Sequence, residues 1–184
     1  MTEVALENMM WTQLSDRKGI RKIAILAMFL AAALVLGVFE RLIPLEIAVP
    51  GVRLGLPNVV ILTLLYLFLP SDVILVVILK CLLTAMLGGN FISFILSLTG
   101  SLLSFAVMSA LIKTADQKIS PVGVSVTGAV FHNIGQLFAA SFVLGTFGVF
   151  VFLPVLLVSG VITGVLTGTA VTHLLRRIQA IGLI

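Results

Sequence analysis

Residues 121–144 read PVGVSVTGAVFHNIGQLFAASFVL, an apolar run of membrane-spanning length with three polar side chains near its middle. A transmembrane helix needs about 20 apolar residues, so this stretch predicts one. His132 and Asn133 lie four and three residues before Gln136, a spacing that favours one side of a helix. In hydrocarbon such side chains cost free energy unless they face protein, water or a ligand. The stretch therefore predicts a ligand pocket, and the alternative is hydrogen bonding between helices.

The whole chain has the composition of an integral membrane protein. Of its 184 residues 60% are hydrophobic and 10% are charged, and the mean hydropathy is +1.29. We expect one transmembrane domain over residues 20–184, after a cytoplasmic lead over 1–19 that is either interfacial or disordered. The pI of about 9.7 does not indicate nucleic acid, because the basic residues lie at the ends of apolar segments.

Six apolar segments predict an all-α bundle of six transmembrane helices. They cover about 22–39, 56–69, 72–87, 91–112, 121–144 and 150–175. If all six cross the membrane, eight Lys and Arg residues lie on one side and only Arg41 and Arg53 on the other, with Lys80 inside a segment. Because basic residues concentrate in cytoplasmic loops, both termini should be cytoplasmic and the 41–55 loop should face outward.

Small residues recur at helical spacing on two of these segments. The first carries Ala24, Ala27 and Ala31, and the sixth carries Gly160, Gly164 and Gly168. Such stripes let a second helix approach closely within lipid. The alanine stripe therefore predicts either docking of a partner membrane protein or packing within the bundle.

Further polar residues could contribute to the pocket. Lys80 is too deep in its segment to reach the membrane surface, so we expect it to face the bundle interior and meet Glu40, Glu46 or an anionic ligand. The Pro- and Gly-rich outer loop could cover an outward-facing cavity with Arg53 and Asn58 near its mouth, and Asn90 lies in a second outer turn. These four residues join the three of the fifth helix as predicted substrate-binding residues.

The sequence does not predict an enzyme. It lacks the GxxxxGK[ST] phosphate loop, and its three aspartates (Asp16, Asp72 and Asp116) are far apart. His132 and His173 lie at different depths, which argues against a metal site. The single cysteine, Cys81, lies in an apolar run and reads as a small hydrophobe.

Four stretches of the chain resemble the Gx transporter family, which is also labelled heptaprenyl diphosphate synthase component I. They are PGVRLGLPNVVILTLLYLF (50–68), GGN with the following LSLTGSLLSFAVM (96–108), GVSVTGAVFHNIGQLFAAS (123–141) and LPVLLVSGVITGVLTG (153–168). The resemblance covers about residues 20–176, and its HNxGQ and GVRLGLPN elements are fairly specific.

The family in turn resembles the substrate-binding S components of energy-coupling factor importers. This resemblance implies a six-helix bundle with an outward-opening cavity in a bacterial plasma membrane. It also implies docking through Ala24, Ala27 and Ala31 to a membrane coupling subunit (T component), driven by two ATPases that use the ATP. The chain itself would bind no cofactor and would capture a small vitamin-like or quinone- or isoprenoid-precursor molecule.

Two alternatives stay open. The family label suggests a non-catalytic membrane partner of a heptaprenyl diphosphate synthase, because the aspartate-rich metal motifs of the synthases themselves are missing. A secondary carrier that works without ATPases would more often show internal repeats and broken helices. No convincing repeat is present in the sequence.

Overall fold

The structure is a computed structural model that describes residues 19–42, 55–88, 90–114 and 119–180. These residues form six α-helices and one short 3₁₀ helix, Phe147–Phe152. The α-helices are α1 (Ile20–Leu42), α2 (Leu56–Leu67), α3 (Pro70–Met86), α4 (Phe91–Thr114), α5 (Pro121–Leu144) and α6 (Leu153–Ala180). The described residues contain no β-strand, so the predicted all-α class is confirmed for this part of the chain.

Proline and glycine set the helix boundaries. Pro70 and Pro121 occupy the first turns of α3 and α5, where the missing N–H of proline has no intrahelical partner to lose. The side chain of Ser120 caps α5 by accepting a hydrogen bond from the Gly123 N–H at 3.2 Å. Gly145 ends α5 with a left-handed φ of 64°, a conformation that side chains disfavour.

Four segments have the length and composition to cross a membrane: Ile20–Glu40, Phe91–Thr114, Pro121–Leu144 and Phe147–Ala180. Helix α2 is apolar but only 12 residues long, and α3 has 17 residues. The chain is therefore a multi-pass membrane protein. The predicted count of six spans and the cytoplasmic termini stay predictions.

The six helices form a closed ring. Around it the order is α1, α2, α6, α5, α4 and α3, and α3 packs back against α1. Helices α2 and α3 also contact each other. Each helix therefore has at least two neighbours, and the polar residues on the inner sides of several helices can meet.

The apolar core occupies one end of this ring. An ion pair of 2.6 Å between Lys22 and Asp72 joins the first turns of α1 and α3 at that end, which also contains Lys113 and Arg176 and which we call the basic end. The fully buried apolar residues come from the parts of the helices nearest to it and include Leu64, Leu65, Phe68, Val73, Val77, Val124, Val171 and Leu175.

Glycine allows α4, α5 and α6 to pack closely. A Cβ at Gly164 of α6 would lie 2.6 Å from the Cα of Val126, and one at Gly135 of α5 would lie 3.0 Å from the Cα of Gly100. Distances this short leave no room for a side chain, so the backbones of neighbouring helices are in contact. The glycines of the sixth segment thus serve packing within the bundle.

Candidate functional site

A layer of polar residues lies between the apolar core and the end of the ring opposite the basic end. It extends from α2 through α3, α4 and α5 to the α5–α6 interface. We call it the polar layer; its members are Asn58, Lys80, Cys81, Ser97, Ser101, His132, Asn133 and Gln136. His132 is the twelfth residue of the 24-residue α5, so the layer lies close to mid-helix depth there.

Lys80 and Asn58 form the part of the layer between α2 and α3. The Lys80 side chain is only 6% exposed, and its Nζ lies 3.5 Å from the Asn58 Oδ1. Burial of an ammonium group costs free energy unless oxygen atoms replace its water. The predicted inward orientation of Lys80 is therefore present in the structure.

Glu40 lies beside this pair, at the end of α1. Its Oε1 accepts a hydrogen bond of 2.6 Å from the Gly55 N–H, at the residue that precedes α2. Gly55 has a φ of 72°, a left-handed conformation that favours glycine. The carboxylate of Glu40 thus holds the start of the helix that carries Asn58.

Cys81 joins α3 to α4. Its thiol is buried, lies 3.5 Å from the Ser101 Oγ and accepts a hydrogen bond of 3.6 Å from the Ser97 hydroxyl. The residue packs as tightly as a small hydrophobe, as expected, but it also meets two hydroxyl groups. This contact was not predicted from the sequence. The feature that could have indicated it is the spacing of Ser97 and Ser101, four residues apart on an apolar helix.

His132 and Gln136 meet α4 at Gly100. A Cβ at Gly100 would lie 2.7 Å from the His132 carbonyl oxygen, 2.8 Å from the Gln136 Cγ and 3.2 Å from the His132 Cε1. Both side chains are half-buried. Gly100 immediately precedes Ser101, which contacts Cys81. His132 and Gln136 therefore lie at the same depth as Cys81.

Asn133 points to a different neighbour. Its Nδ2 donates a hydrogen bond of 2.6 Å to the Leu156 carbonyl oxygen of α6, and the amide lies against Gly160. The three polar residues of α5 therefore do not share one side, because adjacent helical residues point about 100° apart. Asn133 makes the helix–helix contact of the alternative interpretation, while His132 and Gln136 face α4.

The other predicted site residues lie apart from the layer or outside the description. Asn90 is exposed, and its Oδ1 accepts a hydrogen bond of 2.7 Å from the Ser93 N–H, so it caps the start of α4. Arg53 and Glu46 lie outside the described residues, as do the lead over 1–18 and most of the outer loop. Their predicted roles stay predictions.

The alanine stripe of α1 faces away from the bundle. Ala24, Ala27 and Ala31 are all exposed, whereas Ala33 is buried against the core. The stripe is thus not used for packing between the described helices. It is a surface of small side chains that faces either lipid or another protein.

The side chains of the polar layer are of kinds that bind small molecules. The described residues contain no group of three or more His, Cys, Asp or Glu side chains placed to hold a metal ion. The polar layer instead offers an ammonium group, carboxamides, an imidazole and hydroxyls. These groups bind anions and hydrogen-bonding groups of small molecules.

One family matches the chain. The sequence model described as "Heptaprenyl diphosphate synthase component I" covers residues 29–174 of the 184. The chain therefore belongs to this family, as the resemblance predicted. No curated protein and no solved structure matches the chain.

Proposed function

We propose that this member of the heptaprenyl diphosphate synthase component I family is a non-catalytic membrane subunit that binds a small molecule in its polar layer and works with partner proteins. The observation that carries the proposal is the depth of the layer. Lys80 is almost fully buried, at about the depth of His132 and Gln136. It lies between the apolar core and the end of the ring opposite the basic end. Polar groups placed so deeply in a membrane protein generally serve a ligand or a transport path.

The ligand is a small, partly apolar molecule with an acidic group. Lys80 supplies a positive charge, Asn58 and Gln136 supply carboxamides, and the surrounding helix surfaces are apolar. A carboxylate or phosphate accepts hydrogen bonds from both kinds of group, and apolar walls suit a ring or an isoprenoid tail. The predicted quinone or isoprenoid precursor has this chemistry.

The family description supports a prenyl diphosphate synthase as the partner. It names a component of such a synthase. In this role the chain would be the membrane component of the synthase, bringing an apolar substrate or product of the catalytic subunit into contact with the bilayer. Chain-elongation chemistry would stay with that partner.

A second candidate function is substrate capture for an energy-coupling factor importer. The exposed alanine stripe supports it, because α1 presents a face of small side chains that the described helices leave uncovered. A coupling subunit would dock there, and two ATPases would supply energy. The ligand would enter from outside and bind the same polar layer.

One purification tests the proposal and separates the two partners. The full chain is extracted from a bacterial membrane in mild detergent, and both its small molecules and its proteins are identified by mass spectrometry. We expect a stoichiometric acidic ligand with an apolar part. Lys80→Met should lose this ligand, while Thr146→Ala, which removes a side-chain hydrogen bond distant from Lys80 in sequence, should keep it.

The co-purified proteins decide between the two roles. A prenyl diphosphate synthase supports the family description, whereas a coupling subunit with two ATPases supports the importer. A protein that carries no ligand in either complex would contradict the binding role. Equal ligand content in the Lys80→Met variant would remove the polar layer as the binding site.

A further inference from the structure

Glu40 of α1 is joined to Lys80 of α3 by three consecutive contacts. The Glu40 Oε1 accepts a hydrogen bond from the Gly55 N–H at 2.6 Å, and the Gly55 carbonyl accepts one from the Asn58 N–H at 2.8 Å. The Asn58 Oδ1 then lies 3.5 Å from the Lys80 Nζ. The chain of contacts therefore runs from the end of one helix, across the start of the second, into the polar layer.

The first of these contacts is the short one and the last is the long one. A charged acceptor strengthens an N–H···O bond roughly twofold over a neutral one, so Glu40 holds Gly55 firmly. The contact between Asn58 and Lys80 is at the upper limit for a hydrogen bond. A small displacement of the start of α2 would therefore break it.

Helix α1 also packs against α2 at this end, where a Cβ at Gly37 would lie 3.4 Å from the Pro57 Cγ and Leu36 packs against the core. Among the residues of α1 whose burial the structure describes, only Ala33 is buried, and it lies 7 positions before Glu40. The ion pair between Lys22 and Asp72 holds the other end of the helix. The hydrogen bond from the Gly55 N–H to Glu40 thus adds a charged contact to the apolar packing that joins α1 to the start of α2.

We propose that Glu40 is a positioning residue for the binding site. Through Gly55 it fixes the position of Asn58, and Asn58 in turn fixes the position of the Lys80 ammonium group. This inference rests on the proposed binding role of Lys80. The carboxylate acts as the acceptor for the Gly55 N–H, and a neutral acceptor oxygen at the same place fulfils the role more weakly. Glu40 itself need not touch the ligand.

The native Cys81 gives a test that needs no ligand. It is the only cysteine of the chain, it follows Lys80 on α3, and its thiol is buried. The rate at which N-ethylmaleimide modifies it in detergent therefore reports how often the outer part of α3 separates from its neighbours. Intact-mass spectrometry measures this rate on the full-length protein.

Two conservative variants distinguish geometry from charge. Glu40→Asp keeps the charge but withdraws the acceptor by one methylene, and we expect about tenfold faster modification of Cys81 because a hydrogen bond to a charged group is lost. Glu40→Gln keeps an acceptor oxygen at the same length but loses the charge, so its rate should rise clearly less than that of Glu40→Asp. Thr146→Ala is the matched control and should not change the rate.

A double-mutant cycle tests the route through Asn58. Asn58→Ala should also raise the rate about tenfold, and adding Glu40→Asp to it should have little further effect, because both changes break the same chain of contacts. Three results would each overturn the proposal. They are additive effects of Glu40→Asp and Asn58→Ala, an unchanged rate in Glu40→Asp, and a Glu40→Gln rate as high as that of Glu40→Asp. The expected rates in a protein that carries no ligand would leave the role of Glu40 standing and refute the binding function.

Discussion

Substitution of Gly100 by alanine tests the close packing on which the polar layer depends. The added Cβ would lie 2.7 Å from the His132 carbonyl oxygen and 2.8 Å from the Gln136 Cγ. Ordinary contact begins at 3.4 Å, so α4 and α5 would have to separate by about 0.7 Å. The carbonyl oxygen belongs to the backbone of a regular helix and cannot turn aside as a flexible side chain would.

Separation of α4 and α5 lowers the free energy of unfolding by an amount that several opposing effects set. A gap of 0.5–1 Å removes about a quarter to a half of the dispersion energy of each atom pair it separates. Overpacking of a well-packed interior costs about 1–3 kcal/mol. Alanine gains about 1 kcal/mol over glycine in helix propensity, which offsets part of that cost.

Gly37→Ala is the matched control for this prediction. A Cβ there would meet only the Pro57 Cγ, at an ordinary 3.4 Å. The control has the same gain in helix propensity without the clash, so it should be neutral or slightly stabilising. The difference between the two variants isolates the clash, and we expect it to be about 1–3 kcal/mol.

Thermal unfolding in detergent, followed by reaction of the buried Cys81 thiol with a thiol-reactive dye, measures this difference. For a domain of this size 1 kcal/mol corresponds to about 2–4 °C, so Gly100→Ala should unfold several degrees below Gly37→Ala. Ligand retention should fall as well, because His132 and Gln136 move with α5. Equal unfolding temperatures for the two variants would refute the close contact of α4 and α5.

Three further substitutions test separate parts of the structure. Lys80→Met should lower ligand retention at least about tenfold while the protein still elutes as a folded species in size-exclusion chromatography, and unchanged retention would exclude a charge-pairing role. Ala27→Leu should weaken capture of the partner protein without changing the unfolding temperature, because its side chain is exposed; intact capture would leave that face to lipid. Asn133→Ala should destabilise the bundle by about 0.6–2 kcal/mol, because the Leu156 carbonyl loses a donor from another helix. Ser159→Ala removes a donor to the same carbonyl from within α6, and an effect of Asn133→Ala no larger than that of Ser159→Ala would contradict the contact between the helices.

The sequence predicted the order of the helices and most of their boundaries. Proline and glycine mark the starts of α2 and α5 in the sequence itself, and those starts agree with the structure, whereas α3 begins at Pro70, two residues before the predicted start. The ends of α1 and α6 were placed three to five residues too early. Glu40 and Arg176 end the apolar run, but a charged residue does not interrupt backbone hydrogen bonding, so both helices continue past the apolar segment.

The site could be predicted only in part. Polar residues inside apolar segments identified Lys80, His132 and Gln136, because each is expensive in hydrocarbon unless it faces the interior. The sequence could not show which neighbour each one meets. That choice depends on the ring order of the helices, which places Asn133 against α6 and the serines of α4 against Cys81.

The two sides of the ring are held together in different ways, and this difference bears on how a ligand reaches the polar layer. On the side of α4, α5 and α6, glycines bring backbones into contact, as at Gly164 against Val126. On the side of α1 and α2, the contacts at the layer are polar, as between Glu40 and Gly55. Lipid tails provide no hydrophobic force between helices, so close backbone packing stabilises the first side at the depth of the layer. Helix α2 is held by the apolar core towards the basic end, but at the layer its contacts include the hydrogen bond from Gly55 to Glu40 and the long contact of Asn58 with Lys80 of α3. We therefore expect a ligand to reach Lys80 through these polar contacts rather than between α4, α5 and α6.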